Sequence, residues 1–189
     1  MSKTQLKKML TGMSNDEIIS VVLELYSARQ EAKDYLDYLM APDEQGELEK
    51  FKKIVVKEFD DTNTAQCRFS VCRKALSDFK KLSPSTDVLA EAMVFYVEQV
   101  CRFSFYNGDL WDQYYNSALS NFEAMMNFLV KNNLLETMMP RVVQILAWCS
   151  PCGYGFFNDI EDIFCKLAPS QYHDNVEKAI AIGKEQYRW

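Results

Sequence analysis

Histidine is nearly missing from this chain: His173 is the sole one among 189 residues. One imidazole cannot furnish a two-histidine metal helix, and no serine stands in a Gly-x-Ser-x-Gly elbow, so the hydrolase designs built on those motifs have no anchor here. Glycine is scarce as well, with six residues, and none belongs to a glycine-rich phosphate loop. No stretch of about 18 apolar residues occurs, which excludes a helical membrane span. The lysine-bearing opening, Met1 to Leu10, is followed by neither an apolar stretch nor a small-residue cleavage site. These absences predict a protein that is neither exported nor membrane-bound, with the cytoplasm as its address.

Strand signals are equally thin. No segment alternates apolar and polar residues without fitting a helix better, and no Asn-Gly or Asp-Gly pair sits between two strand-like runs. Hydrophobic residues make up 48% and charged residues 25%, a globular balance, and the length suits one domain over residues 1–189 with its own core. Twenty-one basic against 27 acidic residues leave a net charge of -6, a field that repels phosphate backbones and anionic lipid heads, so nucleic acid is not expected as a partner. The charge is uneven. Ala65 to Leu82 carries Arg68, Arg73, Lys74, Lys80 and Lys81 against Asp78 alone, whereas Asp87 to Glu136 is mostly acidic, a pattern that points to charge matching within the chain.

What fills the sequence is helical periodicity. Ile18, Val22, Leu25, Ala32, Leu36 and Leu39 recur at intervals of three, four or seven and read as one stripe on a long helix, opened by a Ser14/Glu17 capping box. A short helix from Thr4 ends at Gly12. Pro42 marks a break, and Phe51, Val55 and Phe59 carry the next stripe. Further stripes run through Ala65, Phe69, Cys72, Leu76 and Phe79, then through Leu89, Met93, Tyr96, Val100 and Phe103 with Asp87, Glu91, Glu98 and Arg102 opposite. Asn107-Gly108 closes that helix and Asp109 offers a cap for the following one. Pro140 must open or kink a helix. Phe156, Ile160, Ile163 and Phe164 mark another, and the last ends near Gly183. The expectation is an all-α protein of seven to nine antiparallel amphipathic helices, arranged as a compact bundle or a short solenoid.

The strongest chemical signal is Trp148-Cys149-Ser150-Pro151-Cys152, which shares its tryptophan, cysteines and proline with the thioredoxin active turn. In that reading Cys149 is the nucleophile and Cys152 the resolving thiol. Its context argues otherwise: a helix precedes the turn where thioredoxins have a strand, and Cys149 falls in phase with Val142, Ile145 and Leu146. A second reading gathers Cys149, Cys152, Cys165 and His173 into a tetrahedral zinc site. Its bland counterpart is that Cys165 is a core residue and His173 a solvated one at a helix start. With neither favoured, no metal and no cofactor is expected.

The rings of Phe103, Phe105, Tyr106, Trp111, Tyr114 and Tyr115 bracket the Asn107-Gly108 turn and place an aromatic corner between two helices. Such corners close a core or bind a partner.

Ser2-Lys3-Thr4-Gln5-Leu6-Lys7-Lys8, Asp16-Glu17-Ile18-Ile19 and Leu48-Glu49-Lys50-Phe51-Lys52-Lys53, with Gly153-Tyr154-Gly155-Phe156 and Asp159 as the most distinctive stretch, resemble a family of small bacterial helical proteins known only as a domain of unknown function. The resemblance covers most of the chain; it implies a helical fold and a bacterial cytoplasm and assigns no activity to any residue. The function favoured is a non-catalytic helical module that contacts a protein or peptide through Trp111 and Tyr115 or through the turn carrying Tyr154, Phe156 and Asp159. The alternatives are the Cys149/Cys152 redox protein and a small-molecule pocket between helices.

Overall fold

The computed structural model describes residues 2–60, 67–108, 110–153 and 155–187. Among them are ten α-helices and one 3-10 turn: α1 Lys3–Thr11, α2 Asn15–Ala28, α3 Gln30–Met40, α4 Glu44–Glu58, α5 Phe69–Lys81, α6 Thr86–Asn107, α7 Asp112–Lys131, α8 Leu135–Cys149, α9 Phe156–Leu167, the turn Ser170–Tyr172 and α10 Asn175–Gln186. The all-helical expectation holds for the described residues; the expected count of seven to nine does not. The extra helix comes from the long Ile18–Leu39 stripe, which is two helices. Arg29, with φ -136° and ψ 116°, is extended and serves as the C-cap of α2 and the N-cap of α3. Apolar spacing carried across that residue hides the break.

The chain divides into two compact units, Met1–Asp43 and Glu44–Trp189. In the first, Ser2 and Gln5 cap α1 and Ser14 and Glu17 cap α2, each through a reciprocal capping box. The Tyr26 hydroxyl donates to the Asp37 carboxylate at 2.8 Å and ties α2 to α3. No side chain of α1, α2 or α3 is buried.

The second unit holds the core. α6 supplies more buried residues than any other helix and packs against α4, α5, α7 and α8, while α8 also packs on α10 and α9 on α7. Its centre is aromatic: Phe59, Tyr96, Phe103 and Tyr114 are all at most 1% exposed, and Phe69 lies edge-on to Tyr114 with ring centroids 5.1 Å apart. Burying one such ring stabilises the fold by about 2–3 kcal/mol, against at most about 1 kcal/mol for an exposed ion pair, so this cluster outweighs the surface charges. The Tyr114 hydroxyl donates to the Val100 carbonyl at 2.7 Å, which satisfies the one polar atom that ring carries inward.

Turn chemistry follows the sequence in several places. Gly108 caps α6 at φ 73°, a conformation open to glycine, and Asn133 follows α7 at φ 58°. Ala65 and Asp109 lie outside the described residues. Pro140 does not open α8 but sits within it.

Two charge arrangements differ from the pattern read along the chain. Glu91 and Glu98, placed on the outer face of α6, are covered by α8: Arg141 forks onto Glu98 at 2.6 and 2.5 Å and also pairs with Glu91, which Lys52 of α4 reaches at 3.0 Å. The Glu58 carboxylate, 2% exposed, takes the Arg68 guanidinium at 2.9 and 2.7 Å and the Arg68 backbone N–H at 3.2 Å. Those Arg68 hydrogen bonds hold the Glu58 carboxyl below its ordinary value. Glu91 and Glu98 of α6 are thus matched from α8 and α4, not from the basic helix α5.

Candidate functional site

The corner between α6 and α7 is built from rings at the end of one helix and the start of the next. Gly108 turns the backbone, Trp111 caps α7 with extended backbone, and the Tyr114 N–H returns to the Trp111 carbonyl at 2.8 Å. Trp111 lies edge-on to Tyr114 with centroids 5.6 Å apart, and Tyr114 meets Tyr115 at 5.9 Å. Tyr115 accepts the Leu110 N–H on its hydroxyl at 3.2 Å, and its ring meets Phe156, the first residue of α9, at 4.6 Å.

That last contact merges the two regions the sequence kept apart, the aromatic corner and the turn between α8 and α9. It also sorts their residues. Tyr115 and Phe156 are buried and form a floor; Trp111 is 48% exposed and Asp159 lies on the surface in the first turn of α9. Tyr154 lies outside the described residues. Phe105 and Tyr106 form a separate ring group, in which Phe105 stands between Tyr106 at 5.1 Å and Tyr187 at 5.9 Å, both of them exposed. Tyr187 follows α10, some 80 residues along the chain from Phe105, and no local pattern connects the two.

The two-cysteine turn has a different character. Cys149 is the last residue of α8 and fully buried, so it stands at the carbonyl end of a helix and not at an amide-rich start. Burial, with the Cys101 thiol alongside, pushes its pKa well above the ordinary value, the opposite of activation. Cys152 is half-buried; its sulfur lies 3.5 Å from the Trp148 carbonyl and 3.5 Å from the hydroxyl of buried Ser104 on α6. All six cysteines are free thiols. His173 turns its Nε2 to the Ala168 carbonyl at 3.1 Å, and among the described residues Cys149, Cys152, Cys165 and His173 are not gathered into a metal-holding group. Burial first, and then Glu161 and Asp162, raise the Cys165 thiol.

This arrangement has a direct readout. With iodoacetamide at pH 8, half-buried Cys152 and Cys165 are expected to label in the folded protein while Cys149 stays unmodified until urea unfolds the chain, as followed by mass spectrometry. Rapid native labelling of Cys149 would contradict its burial.

Fold and site together describe an all-helical protein whose described helices include none long and apolar enough to cross a membrane. The chain belongs to a family of unknown function, DUF6155, whose model matches residues 1–162. The segments that carried the resemblance all fall within that match, which ends inside α9. No curated protein and no solved structure matches the chain.

Proposed function

We propose that this chain is a non-catalytic helical interaction module whose contact surface is the aromatic corner. The observation that carries the reading is the 4.6 Å packing of Tyr115 on Phe156, which gives one continuous floor beneath the corner and the α8–α9 turn. Trp111, exposed and joined to Tyr115 through Tyr114, offers large apolar area at small entropic cost, one of the residue types that anchor interfaces.

The surrounding charge points to the occupant. Asp112 and Asp159 are exposed in the first turns of α7 and α9, and the whole chain carries a net charge of -6. Both carboxylates also complement the amide ends of their helices, a structural role that does not consume their outward field. Carboxylates beside open ring faces suit a peptide that brings arginine or lysine next to an apolar anchor, since the cation pairs with the acid and stacks on the ring. A cytoplasmic setting, bacterial as the family resemblance implies, fits this reading.

A phage-displayed library of 12-residue peptides, selected on the whole protein, tests it. The expected result is enrichment of basic peptides with an aromatic or aliphatic anchor that bind Trp111→Ala at least ~10-fold more weakly, a loss typical of an interface anchor. Selected peptides that bind Trp111→Ala as tightly as the wild type would remove the corner from consideration.

A further inference from the structure

A second site lies on the basic helix. α5, α6 and α7 border a groove of 330 Å³ lined by Arg73, Ser77 and Lys80 of α5, Tyr96 of α6 and Asn121 of α7, with Leu76, Met93 and Val97 as its apolar part. Arg73, Ser77 and Lys80 stand at intervals of four and three, so they rise along one face of α5. The volume is at the small end of the range for small-molecule sites.

The decisive group is Tyr96. Its side chain is 1% exposed, yet its hydroxyl has no hydrogen-bond partner among the described residues. Buried hydroxyls are almost always partnered, because an unmade hydrogen bond in the interior is costly. Burial raises this phenol, the Cys72 thiol behind it adds to that, and the two groups that act the other way are Arg73 and Asn121. Both line the groove together with Tyr96. Asn121 donates to the Ser117 carbonyl at 2.7 Å; its amide comes near enough to favour the charged phenol, but no hydrogen bond of ordinary geometry joins the two.

The cations are equally uncommitted. Lys81 pairs with Asp78 at 2.6 Å, whereas no ion pair of Arg73 or Lys80 is closed among the described residues, and Glu91 and Glu98 of α6 are taken by Arg141 and Lys52. Two exposed cations on the rim, a donor hydroxyl without an acceptor and an apolar wall thus converge on one small volume.

We infer that this groove binds a small organic carboxylate, its apolar body against Leu76, Met93 and Val97 and its oxygens held by Arg73, Lys80 and the Tyr96 hydroxyl. The planar guanidinium fork matches a carboxylate edge to edge, and the phenol supplies a further donor. The Tyr96 hydroxyl is sealed from solvent, so a carboxylate that reaches it must displace part of the lining, and Arg73, an exposed side chain of that lining, can turn without moving a helix.

Calorimetric titration of the whole protein with 3-phenylpropionate tests the assignment. Expected is one site with a Kd of about 1 mM or tighter, at least ~10-fold weaker binding of the neutral 3-phenylpropanol, and a similar loss in Arg73→Gln and in Tyr96→Phe. Tyr96→Phe should melt at or above the wild-type temperature, because it deletes a sealed hydroxyl that has no partner. Four results would overturn the inference: no binding by the wild type, unaltered binding by either variant, inorganic phosphate binding as tightly as the carboxylate, or a Tyr96→Phe variant that melts below wild type, which would give the hydroxyl a partner within the fold.

Discussion

Replacing Arg141 with alanine is expected to destabilise the protein by about 3 kcal/mol, near the lower end of the cost of breaking a buried ion pair by removing one partner. Arg141, Glu91 and Glu98 are each less than one-third exposed, and the arginine is the group that holds both carboxylates. Without it, Glu98 loses its fork and Glu91 keeps only Lys52, leaving two partly desolvated negative charges on α6 where α8 packs. The low end applies because all three side chains retain some water.

The effect has a pH signature. Burial raises the Glu91 carboxyl, but Lys52 and Arg141 together outweigh it and hold its pKa below the ordinary value. A carboxyl depressed in the fold contributes stability that is fully present above its unfolded pKa of about 4.3 and is lost as the pH falls through the lower folded value. The gap between wild type and Arg141→Ala should therefore be widest near neutral pH and narrow as the pH falls below the unfolded pKa toward the lower folded value. Urea unfolding at pH 7 and pH 3.5 reads this directly. Equal gaps at the two values would show that the arginine acts through packing alone. Adding Glu91→Gln to Arg141→Ala should restore part of the neutral-pH loss.

The second large effect is at Gly183. The spacing placed this glycine at the end of the last helix, but α10 runs on to Gln186 and Gly183 is buried within it. Its α-carbon faces α8 so closely that an added β-carbon would meet the Ala147 carbonyl oxygen at 2.5 Å and overlap the Ser150 hydroxyl. The hydroxyl can turn away; the backbone carbonyl cannot without moving α8. Alanine would ordinarily strengthen a helix interior by about 0.5–1 kcal/mol over glycine, whereas overpacking costs about 1–3 kcal/mol. The steric term wins, so Gly183→Ala is expected to be destabilised by about 1–2 kcal/mol, and Gly183→Val by more. At this chain length each kcal/mol lowers the melting temperature by roughly 2–4 °C. A Gly183→Ala variant that melts above wild type would mean that α10 does not approach α8 this closely.

These results bear on how much could be read beforehand. Helix ends were legible where a local device makes them, as at the Ser14/Glu17 box and at Gly108 past α6. Arg29 was not, because nothing in its chemistry announces an extended residue inside a continuous apolar stripe. Glu91 and Glu98 were misread as outer-face residues for a related reason. Periodicity shows which face of α6 is most apolar, but α6 is packed by four helices and its polar positions are covered too.

The candidate sites divide in the same way. The run of aromatics singled out Trp111 at the corner, Asp159 entered only through the family resemblance, and the burial of Cys149 followed from its phase with Val142 and Ile145. The packing of Tyr115 on Phe156, the arrival of Tyr187 beside Phe105 and the unpartnered Tyr96 hydroxyl between Arg73 and Asn121 had no signal in the chain.

The sequence by itself determined that this protein is helical, where most of its helices start and stop, and that it belongs with DUF6155, because capping, turn geometry and helical spacing act over about four residues. Tertiary structure alone decided which rings share the corner, which arginine holds the acids of α6, why Gly183 must stay small and what lines the groove on α5. Those contacts join residues tens of positions apart, and their partners are selected by the mutual fit of whole helix faces, which no stretch of a few residues specifies.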